Sequence, residues 1–408
     1  MKIYFLRIFI VATLACIFPK LHVNAQSLQL GEKAERNSLR MRLEDGRVGI
    51  VTGGPRGTYI SLGTDLSRLI AKEIGDDLRV IVQVGRGSMG NLQDLALLKY
   101  TDLALVQADV LQHIQNTSPD DYKYLKDRIS YIARFHPEII HVIARGGKLS
   151  GPKALEGKVI AIGGSGSGHQ ITAQIIFDQL GVKPKRFVSM SHTDALNDIL
   201  SDAPTLDAIV YVAGKGSPYL AKVSDNHERL IREKDIYFVP FNDAPSGSSP
   251  YISQTIDSNA YPALIEQGTT VSTWAVPAVL ASYNWNKKKS PSRHLRLARF
   301  VNSFFKHAHK FDDGKDGYND NWCTIDLAND VKGWQRNSTA KAWLQENRGT
   351  PTKICKASSG SVEKVVKGGV NCEAFVIAMG NAGMALDDSD RANILFDIWS
   401  KSNAGKCG

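Results

Sequence analysis

Three glycine-rich segments in this chain combine free backbone N–H groups with small hydroxyl side chains, the residue types that hold an anionic oxygen. They are Thr52 to Tyr59, Gly85 to Asn91 and Gly163 to Gln170. Each lies between a β-prone run and a helix-periodic run, so its amides sit at the carboxyl end of a strand and the positive end of a helix. Such turns accept an oxygen of a carboxylate or a phosphate. Thr58, Ser88, Ser165 and Ser167 add hydroxyl donors, and glycine permits close approach. Glycine is also the simplest residue for any strand-to-helix turn, and one segment alone would need no other explanation. Three in one chain point to a shared use.

Other chemistries fit less well. Gly85-Arg86-Gly87-Ser88-Met89-Gly90 matches G-x-G-x-x-G, and Asp109 stands about twenty residues on, where a ribose-binding acid would lie. The match is not at the first predicted strand, and the helix after it is short. A dinucleotide-dependent oxidoreductase is therefore the remote alternative. Gly166 sits where a G-x-S-x-G nucleophile elbow needs serine. His136, His141, His169 and His192 lack metal-ligand spacing, and His169 is singled out only because it opens the helix after a candidate anion turn. Glu138, after Pro137, could meet a ligand ammonium group or serve as a salt-bridge partner at a crossover. The run Lys287-Lys288-Lys289 has no interleaved aromatics, so it reads as a solvated loop rather than a nucleic-acid groove.

These turns need elements to position them. Arg47 to Thr52 reads as a buried strand, Thr58 to Ile74 as a helix, Arg79 to Val84 as a strand, Asn91 to Leu98 as a short helix and Leu103 to Gln107 as a strand. The plan then restarts. Strands are expected at Ile139 to Ala144, Val159 to Gly163, Arg186 to Met190 and Ala208 to Val212, with helices at His169 to Leu180 and Thr193 to Leu200. Ser272 to Ala281 is again β-prone, and Arg293 to His309 shows a helical apolar stripe. Alternating strands and helices in two halves predict an α/β fold of two lobes with a cleft between them.

The chain has 408 residues with 50 Lys and Arg against 41 Asp and Glu, a mildly basic balance that excludes little. Its 43% apolar content rules out a disordered chain. Residues 1–25 have a basic start, an apolar run from Ile8 to Phe18 and a small-residue ending at Ala25, the pattern of a cleaved secretory signal peptide. Cys16 leaves lipidation open as an alternative to cleavage after Ala25. No later stretch reaches the roughly 18 uninterrupted apolar residues of a membrane span. The other four cysteines, Cys323, Cys355, Cys372 and Cys407, form an even set near the carboxyl end. In an oxidising compartment this predicts two disulfides, with three possible pairings, rather than a zinc site. The expected division is a signal peptide (1–25), a polar leader (26–46), lobe 1 (47–140 plus 272–311), lobe 2 with a return hinge (141–271) and a stapled C-terminal extension (312–408).

The motifs in order resemble one family. Val48 to Gly54 followed by Gly57-Thr58-Tyr59, then Gly87-Ser88-Met89-Gly90-Asn91-Leu92, Asp102 to Asp109, His136-Pro137-Glu138, Gly164 to Gly168 and Trp274 to Leu280, are similar to the TAXI family, the extracytoplasmic solute-binding proteins of TRAP transporters. The likeness covers roughly residues 47–310, and Asn329 to Leu344 resembles a tail of some members. The chain departs from the family pattern at His169 and Gln170, and at Pro55, Arg56 and Ile60, positions that leave the ligand's identity open. The resemblance implies a type 2 periplasmic-binding-protein fold, α/β with hinge strands, that closes on a small carboxylate such as a glutamate-like amino acid or a dicarboxylate. It implies a periplasmic location, a TRAP-type permease as partner, no catalysis, no cofactor, no metal and no nucleic acid, in a monomer. The ligand-facing residues would be Thr52, Gly54, Thr58, Tyr59, Ser88, Asn91 and Gln107 from one lobe, Ser165, Gly166, Ser167, Gly168 and His169 from the other, and Glu138 at the crossover. An exported sensor or partner-binding protein of the same fold is the alternative.

Overall fold

The structure is a computed structural model, and it describes residues 46–355 except 56, 148–149, 215–216, 218, 222–226, 247–248 and 313–315. The chain divides into two compact units, Met1–Ile354 and Cys355–Gly408, and of the second only Cys355 is among the described residues. The signal peptide, the polar leader, Cys372 and Cys407 lie outside them. No described helix is long and apolar enough to cross a membrane.

In the first unit, the near-continuous apolar run of β1 (Arg47–Val51) pairs in parallel with β2 (Arg79–Gln83) and β3 (Leu103–Gln107), as strands covered on both faces require. Helix α1 (Thr58–Ile74) lays Leu62, Leu66, Leu69 and Ile70 on this sheet, and α2 (Ser88–Leu97) adds Leu92 and Leu95. Two helices, α3 (Val110–Thr117) and α4 (Pro119–Leu125), follow β3. On the other side of the molecule β5 (Val159–Ala161) runs parallel to both β6 (Arg186–Val188) and β7 (Ala208–Gly214). There α5 (Gly168–Gln179), α6 (His192–Leu200) and α7 (Glu228–Glu233) alternate with the strands, and β8 (Ile236–Phe238) and β9 (Ile252–Asp257) complete the set.

Two long antiparallel strands join these halves. β4 (Ile129–Arg145) and β10 (Thr270–Tyr283) run through both and pair with each other from Ile129 opposite Tyr283 to Ile139 opposite Ala275. The first part of β4 lies beside the segment of β10 that also pairs β3, and the second part pairs β7. The order along the sheet is therefore β2-β1-β3-β10-β4-β7-β5-β6, with β8 on β4 and β9 on β10. Where the strands cross from one half to the other, Pro137 stands opposite Pro277, and a register shift follows at once. Proline lacks the N–H of a ladder bond and is confined to edges and irregularities. The paired prolines thus mark a weak point in the ladder where the strands can bend. The sequence pattern predicts a strand only over Ile139 to Ala144, because Pro137 interrupts the β pattern of the preceding residues, whereas β4 continues through it.

Helix α8 (Pro291–His307) packs on α1 and β1, and α9 (Ser338–Glu346) packs on α8. Residues 316–354, read from the sequence as part of an extension, pack on the first half. Trp322 is fully buried, stacks on Phe311 at 3.8 Å and meets Phe135 at 5.2 Å. Its indole N–H donates to Asp65 Oδ2 at 2.9 Å. The Trp334 N–H donates to the Ala108 carbonyl at 2.8 Å, and Asn337 N–H to the Tyr131 carbonyl at 2.7 Å. A turn-rich segment with isolated tryptophans has no periodicity to reveal this docking. Cys323 and Cys355 are each disulfide-bonded. Replacing Trp322 by alanine removes the largest side chain of this contact. We expect Trp322→Ala to lower unfolding free energy by about 3–5 kcal/mol in urea titration, and a loss below about 1 kcal/mol would show the segment to be peripheral.

Candidate functional site

The glycine-rich turns meet. Gly54, Thr58 and Tyr59 at the start of α1, Gly87 and Ser88 at the start of α2, and Ser167, Gly168 and His169 at the start of α5 line one cavity of about 330 Å³. Gln107 at the end of β3 and Glu138 of β4 lie on the same wall system, with Tyr211, Val212 and Ala213 of β7 closing the far side. The volume is at the small end of the range for small-molecule sites.

Local sequence explains why the helix ends are receptive. Gly57 and Gly87 occupy the N-cap positions of α1 and α2 and have no side chain to bond the first-turn amides. Those N–H groups are left for something else to satisfy. Helix α2 begins at Ser88, three residues before the start expected from the sequence, so the Gly-Ser turn itself supplies the first-turn amides. On α5 the cap is Ser167, whose Oγ accepts from Gln170 N–H. The two halves touch here. Gly87 has a φ of 101°, and a Cβ on it would lie 3.2 Å from Ser167 Cα. A Cβ on Gly168 would lie 1.9 Å from Gln107 Oε1 and 2.9 Å from Ser88 Oγ. Only glycine lets these turns approach so closely.

Among the described residues the cavity holds a buried acid, Glu138, and no buried cation beside it. Tyr59 Oη donates to Glu138 Oε2 at 3.1 Å. Burial pushes the Glu138 carboxyl up to about 8, against the opposing hydrogen bonds from Tyr59 and Gln107. His136 stands 3.8 Å from Glu138 Oε1, but burial brings it down to about 3, so it is neutral. His169 is held well below the ordinary range by burial and by His192 and His141. Its Nδ1 accepts the Val212 N–H at 2.9 Å, which leaves the proton on Nε2. Its ring stacks on Tyr211. His169 is thus a neutral hydrogen-bond donor. Arg86 reaches the rim, where it pairs with Asp94 at 3.0 Å.

Four residues selected from the sequence stand elsewhere. Thr52 is buried and its Oγ1 donates to the Gln83 carbonyl. Asn91 is fully buried and its Nδ2 donates to the carbonyls of Thr52 at 2.6 Å and Leu105 at 2.7 Å, bracing the turn from behind. Ser165 is exposed, and Gly166 gives its N–H to Gln170 Oε1. Conversely, Gly53, Gly57, Gly85, Arg86, Gly87, Tyr211, Val212, Ala213 and Ser217 line the cavity without having been selected. The glycines lie inside the noticed motifs, but β7 reads as an ordinary strand and carries no local signal.

The cavity serines bond to Gln107, Gln170 and Tyr211 rather than to a histidine, so a nucleophile with its base is not assembled among them. Asp109, the candidate ribose acid, is fully buried, and its Oδ2 is taken by Thr172 and Tyr251.

A model of the NMT1-like family matches residues 50–286. The chain belongs to the NMT1-like family. No curated protein matches it. Among solved structures, this NMT1-like family member is similar to a protein from Bordetella bronchiseptica RB50 at 13% identity, over 85% of this chain and 92% of that chain, with a TM-score of 0.40. It is similar to a Candida albicans gene product described as having the generic periplasmic binding protein structural fold, at 14% identity over 73% and 79%, with a TM-score of 0.40. The alkanesulfonate-binding protein of Xanthomonas axonopodis pv. citri bound to MOPS aligns at 10% identity over 74% and 83%, with a TM-score of 0.41.

The bracing role of Asn91 is separable from ligand contact. Asn91→Ala leaves two buried carbonyls without their donor and should lower stability by about 1–3 kcal/mol in chemical denaturation of the ligand-free protein. An unchanged midpoint would return Asn91 to the list of ligand contacts.

Proposed function

We propose that this protein is an exported solute-binding protein that captures a small carboxylate in the cavity between its lobes, releases it to a TRAP-type membrane permease and catalyses no reaction. The reading rests above all on the convergence of three helix N-termini from both halves on one small cavity. Uncapped amides of α1 and α2, with the Ser88 and Ser167 hydroxyls, suit the carboxylate. Closure excludes water and strengthens each of these contacts. The same reading keeps the TAXI resemblance, a periplasmic location reached through the signal peptide, and a monomeric working state.

Glu138 narrows the ligand class. An acid buried without a cation disfavours a second carboxylate beside it and welcomes an ammonium group. A glutamate-like amino acid, with its carboxylate at the helix ends and its ammonium at Glu138, therefore fits better than a dicarboxylate.

Thermal unfolding of the purified mature chain against a panel of amino acids and dicarboxylates tests this. One amino acid should raise stability by about 2.7 kcal/mol at a hundredfold excess over Kd. Glu138→Gln should weaken that amino acid at least tenfold while sparing any dicarboxylate that binds, because only the ammonium loses its counter-charge. A panel without a single shift would overturn the ligand class, and equal weakening of both ligand types would overturn the role of Glu138.

A further inference from the structure

Behind the cavity a second carboxylate joins the lobes without touching the space a ligand would occupy. Asp109 follows β3 in the first half and is completely buried. Its Oδ2 accepts from Thr172 Oγ1 of α5 at 2.7 Å and from Tyr251 Oη, just before β9, at 2.9 Å. Both donors belong to the second half. Asp109 Oδ1 has no hydrogen-bond partner. Thr172 Oγ1 also stands 3.5 Å from Gln107 Oε1, so the contact continues directly into the cavity wall. On the outer side the Trp334 N–H holds the Ala108 carbonyl, which keeps the peptide next to Asp109 in place.

We propose that Asp109 is a latch for the closed arrangement: its carboxyl group binds the second lobe through Thr172 and Tyr251, and closing the lobes couples to uptake of a proton at that group. The inference rests on the reading of the cavity as a site that opens and closes. Parting the lobes breaks both hydrogen bonds and returns Asp109 to water.

The sign of the coupling follows from the surroundings. Tyr251 faces Asp109 from the β9 side, Thr172 from α5, and Glu138 of β4 and Tyr59 of α1 lie within electrostatic reach. Lys332 borders the small neighbouring cavity beside Ala108. Burial pushes the Asp109 carboxyl up to about 6, with the Thr172 and Tyr251 hydrogen bonds pulling the other way. An acid whose pKa rises on closure takes up a proton when the lobes close. Closure is then favoured as pH falls through about 6 and opposed above it, where an ionised carboxylate must be buried. Taking an open-state value near the ordinary 3.8, the closed-to-open ratio should be about fourfold higher at pH 5.5 than at pH 8.

Small-angle X-ray scattering without any solute tests this across pH 5–8 on the full mature chain carrying Glu138→Gln as the parent, because burial also pushes the Glu138 carboxyl up and closure would add its proton uptake to that of Asp109. The radius of gyration should increase with pH, with a midpoint set by Asp109. Asp109→Asn imitates the neutral acid and should be compact and flat across the range. Thr172→Val removes a hydrogen bond that favours the ionised form, so it should move the midpoint to higher pH, a shift that a merely structural role would not produce. A parent radius that does not change with pH, or an Asp109→Asn profile that keeps the parent's step, would overturn the proposal. If Asp109→Asn does not fold, an unmoved midpoint in Thr172→Val overturns it alone. Failure of the solute-binding reading looks different: it leaves solutes without effect on thermal stability, whatever the ligand-free scattering does.

Discussion

First-turn amides of α1 and α2 that lack a side-chain cap are the feature around which the site is arranged. A helix start capped by glycine has N–H groups that must find water, a side chain or a ligand. Here two such starts and the serine-capped start of α5 point into one cavity. They belong to different halves of the molecule, so their meeting depends on β4 and β10, the two strands that pass through both. The opposed prolines lack ladder N–H groups where the strands pass from one half to the other.

Two buried carboxyl groups give this arrangement its electrostatic character. Glu138 lines the cavity and Asp109 lies behind it, and both are held by hydroxyl donors rather than by cations. A hydroxyl partner lowers the cost of burying the acid only in part, so both groups remain sensitive to what approaches them. The histidines around them contribute no positive charge. His136, His141 and His192 are brought far down by burial, to about 3, 4 and 4, and His169 is neutral with its tautomer set by Val212. These histidines therefore supply no positive charge beside Glu138.

Much of the fold was legible because buried parallel strands and amphipathic helices leave strong local patterns. The strand over Arg47–Val51 and the stripe of Leu62, Leu66, Leu69 and Ile70 are examples. The early part of β4 was not legible, since Pro137 suggests a break where the chain continues as a hinge strand. The docking of Trp322 and Trp334 was hidden for a different reason. A single large side chain in a turn carries no period, and its partners, Phe311, Phe135 and Ala108, are set by the packing of distant segments.

At the site, glycine, serine and threonine at strand-to-helix turns determined by themselves that the chain would carry several anion-receptive ends, because that property is local to a few consecutive residues. Which ends would face one another, and which noticed residues would instead brace the turns, was decided only by tertiary structure. In the sequence Asn91 reads as a ligand contact, and Asp109 only as the ribose acid of a dinucleotide-binding alternative. One proves to hold two carbonyls from behind and the other to bridge the lobes. Tyr211 and Val212 enter the cavity wall from an unremarkable strand. Local chemistry is written in neighbouring residues, whereas the direction a side chain faces depends on strand pairings between segments more than a hundred residues apart.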